Sequence, residues 1–205
     1  PASQQGVDDL GFLLALLEAI GQEVALDPER IYVLGISNGG FMAQTLACAA
    51  GEQIGAVASV VSTVPRSLAT ACAPSRPLSV LFMNGTADPL VPFEGGVVSS
   101  DVGGEILSSD AAAAHWVAHD RCGPATETRT FDEVDDGTAV KWTRYSECEG
   151  GSAVDYYVVE GGGHTWPGGG QYLPEALVGR ASEELDGLEA AWDFLLAQRR
   201  CPPRG

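Results

Sequence analysis

Val7, Leu10, Leu13, Leu14, Leu17 and Ile20 recur on one face of a 3.6-residue period, which predicts an amphipathic helix over residues 7–20. Asp8 and Asp9 fall in its first turn, where negative charge suits the helix dipole, and Gly21 predicts its stop. The pattern then changes. Residues 31–34, 56–61 and 78–83 are short continuous apolar runs rich in β-branched side chains, the signature of strands buried on both faces. Residues 154–159 predict a further strand. Residues 126–131 and 139–145 flank Asp135-Asp136-Gly137, a hairpin signal. A helix is expected over 111–117, capped by Ser108 or Ser109. Another is expected over 185–196, with Leu185, Leu188, Trp192, Leu195 and Leu196 on its apolar face. Residues 65–77, with three prolines, and 95–104, rich in Gly and Ser, read as loops. Strands alternating with helices predict an α/β fold: a mostly parallel sheet covered by helices on both faces, in a single domain over residues 1–205 without internal repeats.

The stretch Gly35-Ile36-Ser37-Asn38-Gly39 joins the strand at 31–34 to an apolar helical segment. A Gly-flanked serine between strand and helix is the pattern of a nucleophile elbow. The turn is tight, so Gly35 and Gly39 are expected to remove side chains that would clash. Ser37 is left at a helix N-terminus, where the dipole and unpaired amides favour developing negative charge.

A serine hydroxyl needs a base to take its proton and a third group to orient that base. Of the three histidines, His115 and His119 fall in a helical segment and read as surface or partly packed residues. His164 lies in a Gly-rich loop just after the strand at 154–159, where a parallel sheet displays functional side chains, and is the expected base. Asp88 follows the strand at 78–83 and its Asn84-Gly85 turn, and is the expected acid; Asp101 and Asp110 are fallback candidates. The order Ser37, Asp88, His164 is that of the α/β-hydrolases. The Asn38 backbone amide would be one oxyanion donor. A second is expected from a loop after an early strand, and no such loop precedes the elbow here. The mechanism needs neither metal nor organic cofactor.

The composition narrows the setting. The chain of 205 residues is 45% hydrophobic and carries a net charge of -17, from 28 acidic and 11 basic residues. Such a charge repels nucleic acid and anionic membrane, so neither is an expected partner. No apolar run is long enough to span a membrane. Of the five cysteines, none has metal-ligand spacing. By proximity in the chain they are expected to pair as Cys48–Cys72 and Cys122–Cys148, leaving Cys201 free or paired outside this sequence. Two disulfides point to an oxidising compartment.

Three stretches together carry a family resemblance: Gly35-Ile36-Ser37-Asn38-Gly39-Gly40-Phe41-Met42-Ala43, residues 84–96 beginning Asn84-Gly85-Thr86-Ala87-Asp88-Pro89, and Gly161-Gly162-Gly163-His164-Thr165-Trp166-Pro167-Gly168. They resemble the polyhydroxybutyrate depolymerase-like esterases, a group that includes feruloyl and acetylxylan esterases of carbohydrate esterase family one. The resemblance runs over nearly the whole chain and implies an α/β-hydrolase fold, secretion to the extracellular or periplasmic space, and hydrolysis of carboxylic esters. It implies the same roles for Ser37, Asp88 and His164. The chain departs from the family in having Asn84 where His is usual, and in beginning after the family's first strands and oxyanion loop, so that it reads as a C-terminal portion with an exposed sheet edge. The expected substrate is a polyester or a feruloyl or acetyl ester of a polysaccharide, with Trp166 and Phe41 as substrate-binding candidates and Tyr172 near them. The alternatives are a serine peptidase of the same fold and a degenerate esterase that binds a ligand without turnover.

Overall fold

The computed structural model describes residues 6–99 and 104–203. Helix α1 (Asp9–Glu23) opens the described chain, with the Asp8 carboxylate capping the Gly11 amide at 2.8 Å. It continues through Gly21, because the backbone bonds onward as far as Val24 N–H to Ile20 O. Strand β1 (Tyr32–Ile36), helix α2 (Asn38–Ala50) and strand β2 (Ala56–Val60) follow. A single turn of helix, α3 (Arg66–Ala69), interrupts the stretch expected to be loop. Then come β3 (Ser79–Gly85), the short pair β4 (Gly96–Val97) and β5 (Glu105–Ile106), and α4 (Ser109–His119). The chain closes with β6 (Glu127–Phe131), β7 (Ala139–Tyr145), β8 (Val154–Glu160), the turn α5 (Glu175–Val178) and α6 (Gly187–Ala197).

The main sheet has the order β1-β2-β3-β8-β7-β6. The first four strands are parallel. β6 and β7 form the expected hairpin and add to β8 antiparallel. Alternation along β3 explains why its sequence is continuously apolar. Val80 and Phe82 face a core with Ala43, Leu46 and Trp116 of α2 and α4. Leu81 and Met83 face a second core with Ala191, Phe194 and Leu195 of α6. Both faces are therefore sealed, as a parallel strand requires.

Three expectations are corrected by packing. In α6 the sheet-facing residues are Gly187, Ala191, Phe194 and Leu195, whereas Leu188, Trp192 and Leu196 point outward and are exposed. Of the expected apolar face, Leu195 is buried and Leu185 packs against the core; the rest of the buried face is rotated because Phe194 and the small Ala191, not Trp192, fit against β2 and β3. Residues of α1 are nowhere fully buried, and Phe12 is 63% exposed; its helix lies against α2 at the side of the sheet where β1 is the edge strand. The stretch 95–104, expected to be a loop, instead contains β4 and its antiparallel pairing with β5 within the described residues.

Cys48 pairs with Cys72 and Cys122 with Cys148, and Cys201 is free and buried. Ser108, not Ser109, caps α4 by accepting from the Ala111 amide at 3.1 Å. The buried Ser109 turns inward instead. No helix among the described residues is long and apolar enough to cross a membrane.

Candidate active site

Parallel strands bring their carboxyl ends to one side of the sheet, and three loops leave from there. Ser37 follows β1, Asp88 follows β3 and His164 follows β8. Ser37 has φ 54° and ψ -119°, a conformation that non-glycine residues rarely adopt. It makes no capping bond with its side chain. Its amide is instead held by the Val60 carbonyl at 2.9 Å, and the hydroxyl turns toward the histidine.

The crowding that makes the elbow tight is distributed differently from the expectation. A Cβ on Gly35 would collide with the Gly39 carbonyl, but a Cβ on Gly39 itself would meet nothing. The second residue that must be small is Gly40, where a Cβ would fall on Ser62 Oγ. The helix begins so close to β2 that its inward side, not its outward one, sets the limit.

His164 Nε2 lies 2.8 Å from Ser37 Oγ, and its Nδ1 lies 2.7 Å from Asp88 Oδ2. The carboxylate accepts only, so Nδ1 carries the proton and Nε2 is the acceptor for the serine hydroxyl. The other carboxylate oxygen of Asp88 accepts from the Leu90 and Val91 amides at 2.8 and 2.9 Å, which fixes its plane. His164 and Asp88 are both buried. Their loops are stitched together: Ala87 N–H donates to Gly162 O at 2.8 Å, and Gly161 N–H to Thr86 Oγ1 at 2.9 Å. On its far side the His164 amide donates to Val178 O at 2.5 Å, and Tyr172 Oη donates to the His164 carbonyl at 3.0 Å.

The remaining candidates separate. Asn38 is the first residue of α2, so its amide has no carbonyl four residues back within the helix and lies beside Ser37. Phe41, one turn further, packs against a small apolar cluster of Val91, Val98 and Ile106, which places an apolar wall on the Asp88 side of the elbow. Trp166 packs against the α6-side core, with its indole Nε1 buried and unpartnered. Asp110 is engaged elsewhere, accepting from Tyr156 Oη at 2.8 Å. Asp101 lies outside the described residues. His119 bonds Asp120 Oδ1 at 2.6 Å and Pro74 O at 3.0 Å, and His115 is half-buried beside Trp116; burial lowers the pKa of His115. No group of three or more His, Cys, Asp or Glu among the described residues could hold a metal ion. Sequence reasoning missed the pair β4–β5 and its Val98 and Ile106, because two-residue strands leave no periodic signal.

The sheet and its flanking helices define a fold of the α/β-hydrolase type. A crystal structure of a thermostable esterase matches it with a TM-score of 0.52 at 15% identity, covering 93% of this chain and 37% of that one. No family model matches the sequence. By sequence the chain is a relative of named esterases. It is 34% identical to "Putative esterase NocK" of Nocardia uniformis subsp. tsuyamanensis, over 92% of this chain and 57% of that protein. It is 28% identical to feruloyl esterase B of Piromyces equi, over 77% of this chain and 29% of that protein. The chain thus spans little more than half of the first of these relatives and under a third of the second.

Proposed function

We propose that the chain carries the catalytic centre of a serine carboxylic-ester hydrolase, with Ser37 as nucleophile, His164 as general base and acid, and Asp88 as the group that orients the imidazole. The observation that carries this reading is the continuous bonding from Ser37 Oγ through His164 to Asp88, at the strand ends of a fold shared with an esterase. In the first step Ser37 Oγ bonds to the carbonyl carbon while its proton passes to His164 Nε2. The tetrahedral oxyanion is met by the Asn38 amide. Collapse breaks the carbon–oxygen bond to the alcohol, which leaves with the proton from Nε2. Water then repeats the sequence on the acyl-enzyme and returns Ser37. Asp88 stabilises the imidazolium in both halves without taking its proton.

The substrate class we favour is a feruloyl or acetyl ester of a polysaccharide, because relatives named feruloyl esterases recur among the sequence matches. The apolar wall of Phe41, Val91, Val98 and Ile106 beside the elbow suits an acyl group. A polyester is the rival substrate. Two disulfides support secretion. The test compares turnover of p-nitrophenyl acetate, p-nitrophenyl butyrate, methyl ferulate and polyhydroxybutyrate films by the chain and its Ser37→Ala variant. Ser37-dependent release of ferulate is the expected result. Film clearance without ferulate release would transfer the assignment to polyesters, and a folded chain inert to all four would overturn the esterase reading.

A further inference from the structure

The turn after β2 holds a strained residue and a buried polar chain that the reaction scheme does not use. Val61 is β-branched and buried, yet has φ 42°, a backbone state that persists only when its surroundings enforce it. Two bonds from β3 enforce it. The Val61 amide donates to Met83 O at 2.8 Å, and the Ser62 amide donates to Asn84 Oδ1 at 2.9 Å.

From that turn the contacts lead to the elbow by two routes. The Val60 carbonyl, just before the strained residue, accepts from the Ser37 amide. Ser62 Oγ lies 2.7 Å from Ser59 Oγ, which in turn donates to the Gly40 carbonyl at 3.3 Å. Since the Ser59 proton is committed to Gly40, Ser62 is the donor in the serine pair. Gly40 leaves no room for a Cβ against Ser62 Oγ, so the turn and the first turn of α2 are in direct contact. Apart from the half-buried Ser37, these groups are buried, where a lost hydrogen bond is not replaced by water.

We infer that Asn84 is a positioning residue for Ser37. Its side-chain oxygen pins the Ser62 amide, and the turn so pinned sets where the elbow presents the hydroxyl to His164. The inference rests on the esterase reading of Ser37 but not on the identity of the ester. Asn84 has a second bond, from Nδ2 to Ser109 Oγ at 2.8 Å, which leads to α4 and away from the elbow. The two ends of one side chain therefore separate positioning from simple stabilisation.

The experiment compares Asn84→Ala, Asn84→Asp and Ser109→Ala. It measures the rate of Ser37 phosphonylation by a fluorophosphonate per titratable site, kcat and KM on p-nitrophenyl butyrate, and the Nε2 nitrogen resonance of His164. Asn84→Ala is expected to slow phosphonylation and kcat about 10-fold or more with KM little changed, since small displacements at a reacting centre are costly. Asn84→Asp keeps an acceptor for Ser62 and is expected to recover much of that loss. Ser109→Ala is expected to stay within about twofold of the parent, although both alanine variants lower Tm. Equal effects of Asn84→Ala and Ser109→Ala, or an unchanged rate per site in Asn84→Ala, would overturn the inference. If the parent chain itself is not labelled, the esterase reading fails, and the resonance still decides: a shift of Nε2 in Asn84→Ala and none in Ser109→Ala supports positioning, and no difference between them refutes it.

Discussion

Ser37 Oγ and His164 Nε2 lie 2.8 Å apart across 127 residues of chain, and the bond forms because β1 and β8 run parallel and end on the same side of the sheet. The imidazole is oriented from behind by Asp88. Replacing Asp88 by Asn leaves the volume unchanged but offers a donor where Nδ1–H needs an acceptor, which favours the wrong tautomer. Asp88→Asn is expected to lower kcat about 10³–10⁴-fold with KM nearly unchanged. Ser37→Ala is expected to abolish fluorophosphonate labelling. Steady-state kinetics and mass spectrometry of the labelled chain check both, and full activity of Asp88→Asn would remove Asp88 from its proposed role.

Gly85 ends β3 against the Gly162 and Gly163 carbonyls, where a Cβ would have no space. The Asp88 and His164 loops separate from the sheet at this point. Gly85→Ala is expected to cost about 1–3 kcal/mol of stability by overpacking and to lower activity as the two loops are pushed apart. Chemical denaturation and kcat on the same preparation test it; a variant as stable and active as its parent would show that the loops yield freely.

Asp155 is buried on β8, with Arg144 Nη1 3.5 Å away and its Oδ1 without a partner. Burial raises its carboxyl to about 6, against the weaker opposing pull of Arg144. In the unfolded chain it ionises near pH 4. Between about pH 4 and pH 6 the folded chain therefore holds more protons. Stability falls as pH rises through that window, by about 3 kcal/mol in all, and stays lowered above it. Asp155→Asn is expected to be more stable than its parent at pH 8 and equal to it near pH 4. Thermal melts at both pH values measure the difference, and a difference independent of pH would contradict the assignment.

Cys201 is the one unpaired cysteine, buried, with its thiol raised to about 11 chiefly by burial and further by Asp120. Little thiolate forms at pH 8. An aromatic disulfide reagent is expected to titrate no thiol in the native chain and one after denaturation. Rapid native reaction would mean that the C-terminal segment opens readily.

Pairing of Cys48 with Cys72 closes a loop of 24 residues. Replacing both by Ser is expected to cost about 2–4 kcal/mol, with Ser37 labelling retained at temperatures where the variant stays folded. Loss of labelling in a folded variant would show that this crosslink shapes the site.

The parts of this molecule that were legible in its sequence are those with a dense local signal. β2 and β3 are apolar runs because both their faces are sealed, whereas β1, read the same way, is the edge strand and leaves Leu34 and Ile36 exposed. Residues 154–159 of β8 are apolar but for Asp155, and the hairpin is marked by Asp136-Gly137. Ser37, Asp88 and His164 each follow such a run, so strand ends located them. What escaped depends on neighbours distant in the chain. Whether Gly39 or Gly40 must be small is decided by Ser62. Which face of α6 is inside is decided by the fit of Ala191 and Phe194 to the sheet, since Trp192 satisfies the same periodicity. Asn84 looks like a turn residue in sequence, yet it is the last-but-one residue of a buried strand and bonds both β2's turn and α4. Trp166 follows the histidine by two positions and, partly buried, packs against the α6-side core.

Both crosslinks sit at one pole of the sheet. Cys48 lies near the end of α2, away from the elbow at its start, and Cys148 follows β7, which runs away from the His164 loop. At the opposite pole, where the Asp88 and His164 loops meet Ser37, residues 86–99 and 161–180 contain no cysteine. Covalent anchorage and the Ser37–His164–Asp88 arrangement thereby lie at different ends of the same strands. The loops around the serine can change in length or sequence without any cysteine losing its mate, so variation at the proposed site is uncoupled from disulfide pairing.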